Sequence, residues 1–283
     1  MIIDSHAHYA HKLYDGEFSC LDRQNGDFCL MRADRGQLLE RMTQGGIGLY
    51  IEPSTDMERI PQQLALAAAY PDHIRLALGI HPKKCAQTPW EDREELRRFV
   101  MENQIVAIGE TGLDYHLPPE TLDKDCQKQW FVYQIQLAHQ RQLPLILHIR
   151  DADRDALDIL TAHRHLLHGG VAHCFGGDFD TAMAYIDLGF AIGVGGRLLH
   201  GDAPLCDAVK RVPLTSILVE TDAPYILPDI RHLPCSGKQR KKVRNTSLIL
   251  PAVIETIARL RQQPKDAVED AIFHNTQRIF RLD

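Results

Sequence analysis

The chain has 283 residues, 44% of them hydrophobic and 25% charged, with a formal net charge of −6. That composition belongs to a globular protein able to bury a core, and 283 residues is an ordinary size for one α/β barrel. The acidic balance excludes a polycation that coats nucleic acid, so any such contact must come from a local patch, and no run of about 18 uncharged apolar residues suggests a membrane span.

Taken in order, apolar or β-branched runs predict strands over Met1–His8, Ile47–Glu52, Ile74–His81, Ile105–Glu110, Leu143–Ile149, Gly170–Phe175, Phe190–Val194 and Ser216–Thr221. Between them, helical periodicity marks Arg35–Gln44, Met57–Tyr70, Trp90–Asn103, Lys124–Gln142, Arg154–His163, Phe179–Leu188 and Pro204–Lys210. Two further helices, Pro251–Arg261 and Lys265–Arg278, close the chain, with Pro251 at a first turn where a missing amide hydrogen does no harm. Strands that are nearly continuous in hydrophobicity and alternate with helices form a parallel sheet covered on its faces. Eight such units predict a (β/α)8 TIM barrel with additional C-terminal helices, one domain spanning residues 1–283. A doubly wound open sheet is the competitor, but no glycine-rich dinucleotide fingerprint follows an early strand. Residues 9–33 make a connection far longer than usual for such a fold, and they read either as a lid or as a surface excursion.

Seven cysteines, at 20, 29, 85, 126, 174, 206 and 235, form an odd set without CxxC spacing. With no signal-peptide pattern at the N-terminus, they point to reduced thiols in a cytoplasmic protein rather than a disulfide framework.

Catalytic groups of a barrel stand at the C-terminal ends of its strands. His6 and His8 lie two residues apart, so on an extended strand they share a face and can hold one metal ion. Glu110, His148, His173 and Asp222 follow four other apolar runs, which brings six potential ligands to one mouth from five strands. That is too many for one tetrahedral ion. They divide into His6, His8 and Asp222 for one ion and His148 and His173 for another, with Glu110 able to bridge through its two oxygens. Nitrogen and oxygen donors without thiolate suit zinc, manganese, nickel or cobalt better than calcium. Cys174 is excluded as a ligand because strand alternation turns it away from His173.

These residues sit in stretches that resemble the TatD family of metal-dependent hydrolases, within the amidohydrolase superfamily. The resemblance is carried by Asp4-Ser5-His6-Ala7-His8, Gly79-Ile80-His81-Pro82, Ile108-Gly109-Glu110-Thr111-Gly112-Leu113-Asp114 and Pro144-Leu145-Ile146-Leu147-His148. His173-Cys174-Phe175 and Glu220-Thr221-Asp222-Ala223-Pro224-Tyr225 complete it, and it runs on to Asn275-Thr276 and Phe280. It implies a barrel with two divalent ions, drawn from zinc, manganese, magnesium, nickel or cobalt. It also implies DNase activity, often a 3′-to-5′ exonuclease on single strands. By motif, His6, His8 and Asp222 match ligands of the first metal, Glu110 the bridging ligand, and His148 and His173 ligands of the second. Two departures bear on substrate. Gly176 follows Cys174-Phe175 where the family usually has serine, and Arg244-Asn245-Thr246-Ser247 replaces the usual Arg-Asn-Glu-Pro.

The expected chemistry is phosphodiester hydrolysis by a metal-bridging hydroxide, with the two cations about 3.5–4 Å apart. Asp222 orients this nucleophile and accepts its proton. Two readings remain open for His81, donation to a phosphoryl oxygen or support of a ligand. Glu220 either buttresses the site or satisfies an arginine. Lys238, Arg240, Lys241, Lys242 and Arg244 put five cations in seven positions after strand eight, and with Arg150 they read as a phosphate-collecting patch for DNA. No obligate protein partner is expected. The rivals are a hydrolase of small esters, lactones or amides, and a non-catalytic nucleic-acid binder with a structural metal.

Overall fold

A computed structural model describes residues 1–282. The strands are β1 (Ile2–Asp4), β2 (Phe18–Gln24), β3 (Asp27–Ala33), β4 (Ile47–Pro53), β5 (Ile74–Leu78) and β6 (Ala107–Asp114). They continue with β7 (Leu145–Arg150), β8 (Gly170–Ala172), β9 (Phe190–Val194), β10 (Ile217–Val219) and β11 (Val243–Arg244). Eight of them form one sheet in the order β1-β4-β5-β6-β7-β8-β9-β10, sequential apart from the hairpin inserted after β1. With helices between the strands this is the (β/α)8 barrel read from the sequence. The last strand returns to the first: the Ser5 amide donates to the Val219 carbonyl at 3.0 Å, and Ala7 bridges Ala223 in parallel.

Contacts along the chain divide it into two compact units. The first comprises Met1–Glu52, Cys174–Phe179 and Gly193–Asn275. Its core gathers Ile3, Leu49 and Ile51 with Leu218 and Val219 from the strands and Val253, Ile254 and Ile257 from the helix Leu250–Arg261, all buried. The second comprises Pro53–His173, Asp180–Ile192 and Thr276 onward. There the helix Lys124–Arg141 buries Trp130, Phe131 and Ile135, at spacings that place them on one face.

The predicted helices form with small shifts at their ends. Arg35–Gln44 has the predicted bounds because a capping box starts it: Asp34 accepts the Gln37 amide, and the Gln37 side chain accepts the Asp34 amide. Two expectations need correction. Residues 9–33 are not a plain loop, since β2 and β3 pair as an antiparallel hairpin and β11 adds to β2 in parallel. The turn is Asn25-Gly26, both with positive φ, 51° and 93°, which is the backbone a two-residue hairpin turn demands. The fourth barrel strand does not end at Glu110 but runs to Asp114, so Glu110 lies within it.

Candidate metal centre

The first unit holds one cluster of donors. Beyond the end of β1, the Nε2 atoms of His6 and His8 approach to 3.2 Å. Oδ1 of Asp222, beyond β10, lies 3.3 Å from His8 Nε2 and 3.8 Å from His6 Nε2. Backbone pairing sets this meeting, because the Asp222 amide donates to the His6 carbonyl at 2.9 Å and the His8 amide to the Ala223 carbonyl at 2.8 Å. Behind them Asp4 accepts the His6 amide, the Thr221 amide and the hydroxyls of Thr221 and Ser247. Four donors tie the ends of two ligand-bearing strands to one buried carboxyl. Burial pushes that carboxyl up to about 7, against the lowering effect of the Thr221, Ser247 and His6 hydrogen bonds. Glu52 accepts the Tyr9 and Ala10 amides and so fixes the chain just past His8.

The second unit holds the other cluster. Glu110 Oε1 lies 3.1 Å from His173 Nε2 and 3.4 Å from His148 Nδ1, and the two histidine nitrogens are 3.2 Å apart. Glu110 lies on β6, His148 on β7, and His173 directly after β8. The other nitrogen of His148, Nε2, faces Asp114 Oδ2 at 3.3 Å. A neutral imidazole that donates from Nε2 to this carboxylate keeps the Nδ1 lone pair for the cluster. Burial alone would raise the Asp114 carboxyl, but the His148 hydrogen bond, the Lys83 ammonium 3.6 Å away and the His116 amide outweigh it and hold the group below the usual carboxylate range.

Both donor sets fit a divalent ion. An ion bound about 2.0–2.1 Å from nitrogen or oxygen ligands in tetrahedral geometry separates those ligands by roughly 3.3 Å. The second triangle has edges of 3.1, 3.2 and 3.4 Å, and the first has 3.2, 3.3 and 3.8 Å. Imidazole lone pairs and carboxylate oxygens brought this close repel one another unless a cation or a shared proton lies between them. Neither set contains a thiolate, as expected for oxygen-ester hydrolysis with a borderline metal.

His81 is buried close to the second cluster. It is 7% exposed, caps the short helix Pro82–Cys85 by accepting the Lys83 amide on Nδ1, and its ring centroid lies 4.1 Å from that of His148 with the planes tilted by 58°. Nδ1 is therefore the acceptor and Nε2 carries the proton, 3.8 Å from Glu110 Oε1. Burial drives its pKa well down and keeps the ring neutral. Glu220 is buried and receives the Cys174 amide, so it fixes the turn that follows His173. Gly193 makes this possible, because a methyl group there would overlap the Glu220 carboxylate. Cys174 has a positive φ of 48° past the end of β8, so strand alternation does not govern it; it belongs to neither cluster.

The basic loop divides into two kinds of residue. Lys238, Lys241 and Lys242 are exposed around the helix Gly237–Arg240. Arg240 instead donates to the carbonyls of Arg231 and Cys235, and Arg244 to that of Leu13, where β11 meets β2. Arg150 is exposed at the end of β7. The sequence reading missed Asp4, Glu52, Asp114 and Ser247 as residues that position the ligands. For Asp114 a signal existed: Glu110, Gly112 and Asp114 fall on one face of a strand by the period of two.

A parallel (β/α)8 barrel carrying two such histidine–carboxylate clusters at its strand ends defines a metal-dependent hydrolase. The family described as TatD related DNase matches residues 3–281, and the chain belongs to this TatD family. A 3′-5′ ssDNA/RNA exonuclease TatD from Pectobacterium carotovorum subsp. carotovorum is 32% identical over 254 residues, 88% of this chain and 94% of the relative. The uncharacterized metal-dependent hydrolase YcfH of Escherichia coli K12 is 38% identical over 213 residues, 75% of this chain and 76% of its own length. The crystal structure of YjjV, a TatD homologue of the same bacterium, superposes with a TM-score of 0.84 at 29% identity, covering 100% of this chain and 98% of that one.

Proposed function

We propose that the protein is a deoxyribonuclease that removes nucleotides from the 3′ ends of single-stranded DNA, using two divalent ions per chain. The observation that carries this reading is the pair of ligand triangles, each with edges suited to one ion. The relative named as a 3′-5′ exonuclease supports the substrate class. His6, His8 and Asp222 would hold one ion and His148 and His173 the other, with Glu110 in the ligand role that motif resemblance gives it. Bound ions supply a hydroxide at neutral pH and polarise a phosphoryl oxygen.

The chain's own groups do the rest. Asp222, whose side chain is 19% exposed, orients the attacking oxygen and accepts its proton. His81, neutral and protonated on Nε2, donates to a nonbridging phosphoryl oxygen. Asp114 and Asp4 hold the ligands in place, and the exposed Lys241 and Lys242 collect the phosphate backbone. No helix among the described residues is long and apolar enough to cross a membrane, and none of the seven cysteines is in a disulfide, which supports action in the cytoplasm.

The test is end-labelled single-stranded DNA incubated with metal-reconstituted protein, alongside a panel of small esters, lactones and amides. A ladder that shortens from the 3′ end and disappears in Glu110→Ala supports the proposal. Turnover of the small esters with intact DNA moves the same metals to the rival substrate class, and DNA binding without cleavage marks a non-catalytic binder.

A further inference from the structure

Beside Asp222 the first unit contains a small open-mouthed pocket, lined by Cys174, Phe175, Arg197, Glu220, Asp222 and Ile226 among others. Its wall carries one cation, Arg197, next to the Asp222 that belongs to the first donor cluster.

The Arg197 guanidinium fills the space that a side chain at residue 176 would take. Any Cβ on residue 176 would overlap the guanidinium carbon and both terminal nitrogens of Arg197. The guanidinium therefore lies over Gly176, at the position where the sequence departs from the serine usual in the family. Among the described residues its only side-chain partner is Asp202, which meets Nη2 at 2.9 Å. One of five N–H donors is so engaged, leaving the Nη1 and Nε donors for an acceptor in the pocket. The side chain is 43% exposed, which leaves it open to an incoming group. The two carboxylates of the pocket are already committed, Glu220 to the Cys174 amide and Asp222 to the histidine cluster.

We propose that Arg197, admitted by Gly176, is a specificity-determining residue that binds a phosphoryl group of the substrate beside Asp222. The proposal rests on the phosphodiesterase reading for the identity of its anion, though not for the existence of the anion site. A planar guanidinium reads the spread oxygens of a phosphate in a way that an ammonium does not.

The metal-loaded protein tests it in two ways. Inorganic phosphate binding is followed by calorimetry, and KM is compared for bis(p-nitrophenyl) phosphate and the neutral p-nitrophenyl acetate. Arg197→Ala should weaken phosphate binding about tenfold and lower the preference for the anionic ester by a similar factor, as expected for a charge-assisted hydrogen bond. Arg197→Lys should recover part of this loss. Gly176→Ser should reproduce Arg197→Ala, because it displaces the guanidinium without removing it. Asp202→Asn breaks the ion pair but keeps the cation, so phosphate affinity should persist. If Arg197 is only a strut for Asp202, then Asp202→Asn will match Arg197→Ala and the proposal falls. It also falls if phosphate affinity is unchanged in both Arg197→Ala and Gly176→Ser. Should the protein degrade no DNA while phosphate binding still tracks Arg197, the nuclease reading fails and the anion site stands.

Discussion

Replacing Asp114 by asparagine removes a charge at nearly constant volume from behind the second cluster. Asp114 Oδ2 is 3.3 Å from His148 Nε2, its side chain is fully buried, and its Oδ1 accepts the His116 amide at 3.0 Å. Asparagine keeps that amide contact but offers His148 a weaker acceptor, so the imidazole loses both its fixed tautomer and part of its basicity. Loss of such an orienting carboxylate costs about 10–100-fold in metal affinity, or roughly 1.4–2.7 kcal/mol. Lys83, the other charge near Asp114, is 47% exposed and remains hydrated, so global stability should change little. Zinc titration against a competing chelator reads the effect directly: one of two sites should weaken by that factor while the other keeps its affinity. If Asp114→Asn binds both ions within twofold of the wild-type affinities, His148 is not oriented by this carboxylate and the ligand assignment of the second cluster is undermined.

Gly193→Ala should drive the Glu220 carboxylate off the Cys174 amide; urea unfolding should show a loss of about 1–3 kcal/mol, and an unchanged midpoint would contradict that packing. Burial pushes the Cys20 thiol up to about 12, so it should resist iodoacetamide at pH 8 in the native protein and react only after unfolding; early modification in a mass-spectrometric time course would refute its burial. Lys241→Gln with Lys242→Gln should weaken single-stranded DNA binding and flatten its salt dependence by roughly 0.7 log units per lysine, whereas an unaltered slope would remove these residues from the interface.

The barrel was legible because each strand is a short apolar run bounded by polar residues, and the period changes to 3.6 between runs. The six candidate ligands stood out for the same reason, since each stands at or just past the end of an apolar run, where polarity has no packing explanation. The hairpin was missed because β3, Asp27–Ala33, mixes Phe28, Leu30 and Met31 with Cys29 and Arg32 and lacks clean alternation. Asn25-Gly26 was its one strong signal. In the basic loop five cations in seven residues read alike in the sequence, yet Nη2 of Arg240 and Nε of Arg244 donate to carbonyls of the chain itself, a choice made only by the folded backbone. Asp4 and Asp114 stood in the motif stretches without an assigned role. Their role behind the ligands depends on Thr221, Ser247 and His148 arriving from distant parts of the chain.

The measurement closest to the centre of this account is the metal content of the reconstituted protein, compared with variants emptied one cluster at a time. Two ions per chain are predicted for the wild type. One should remain in His6→Ala with His8→Ala, and one in His148→Ala with His173→Ala. A wild-type chain that retains no divalent ion after reconstitution and desalting, or a pair of variants that each still carry two, would contradict it.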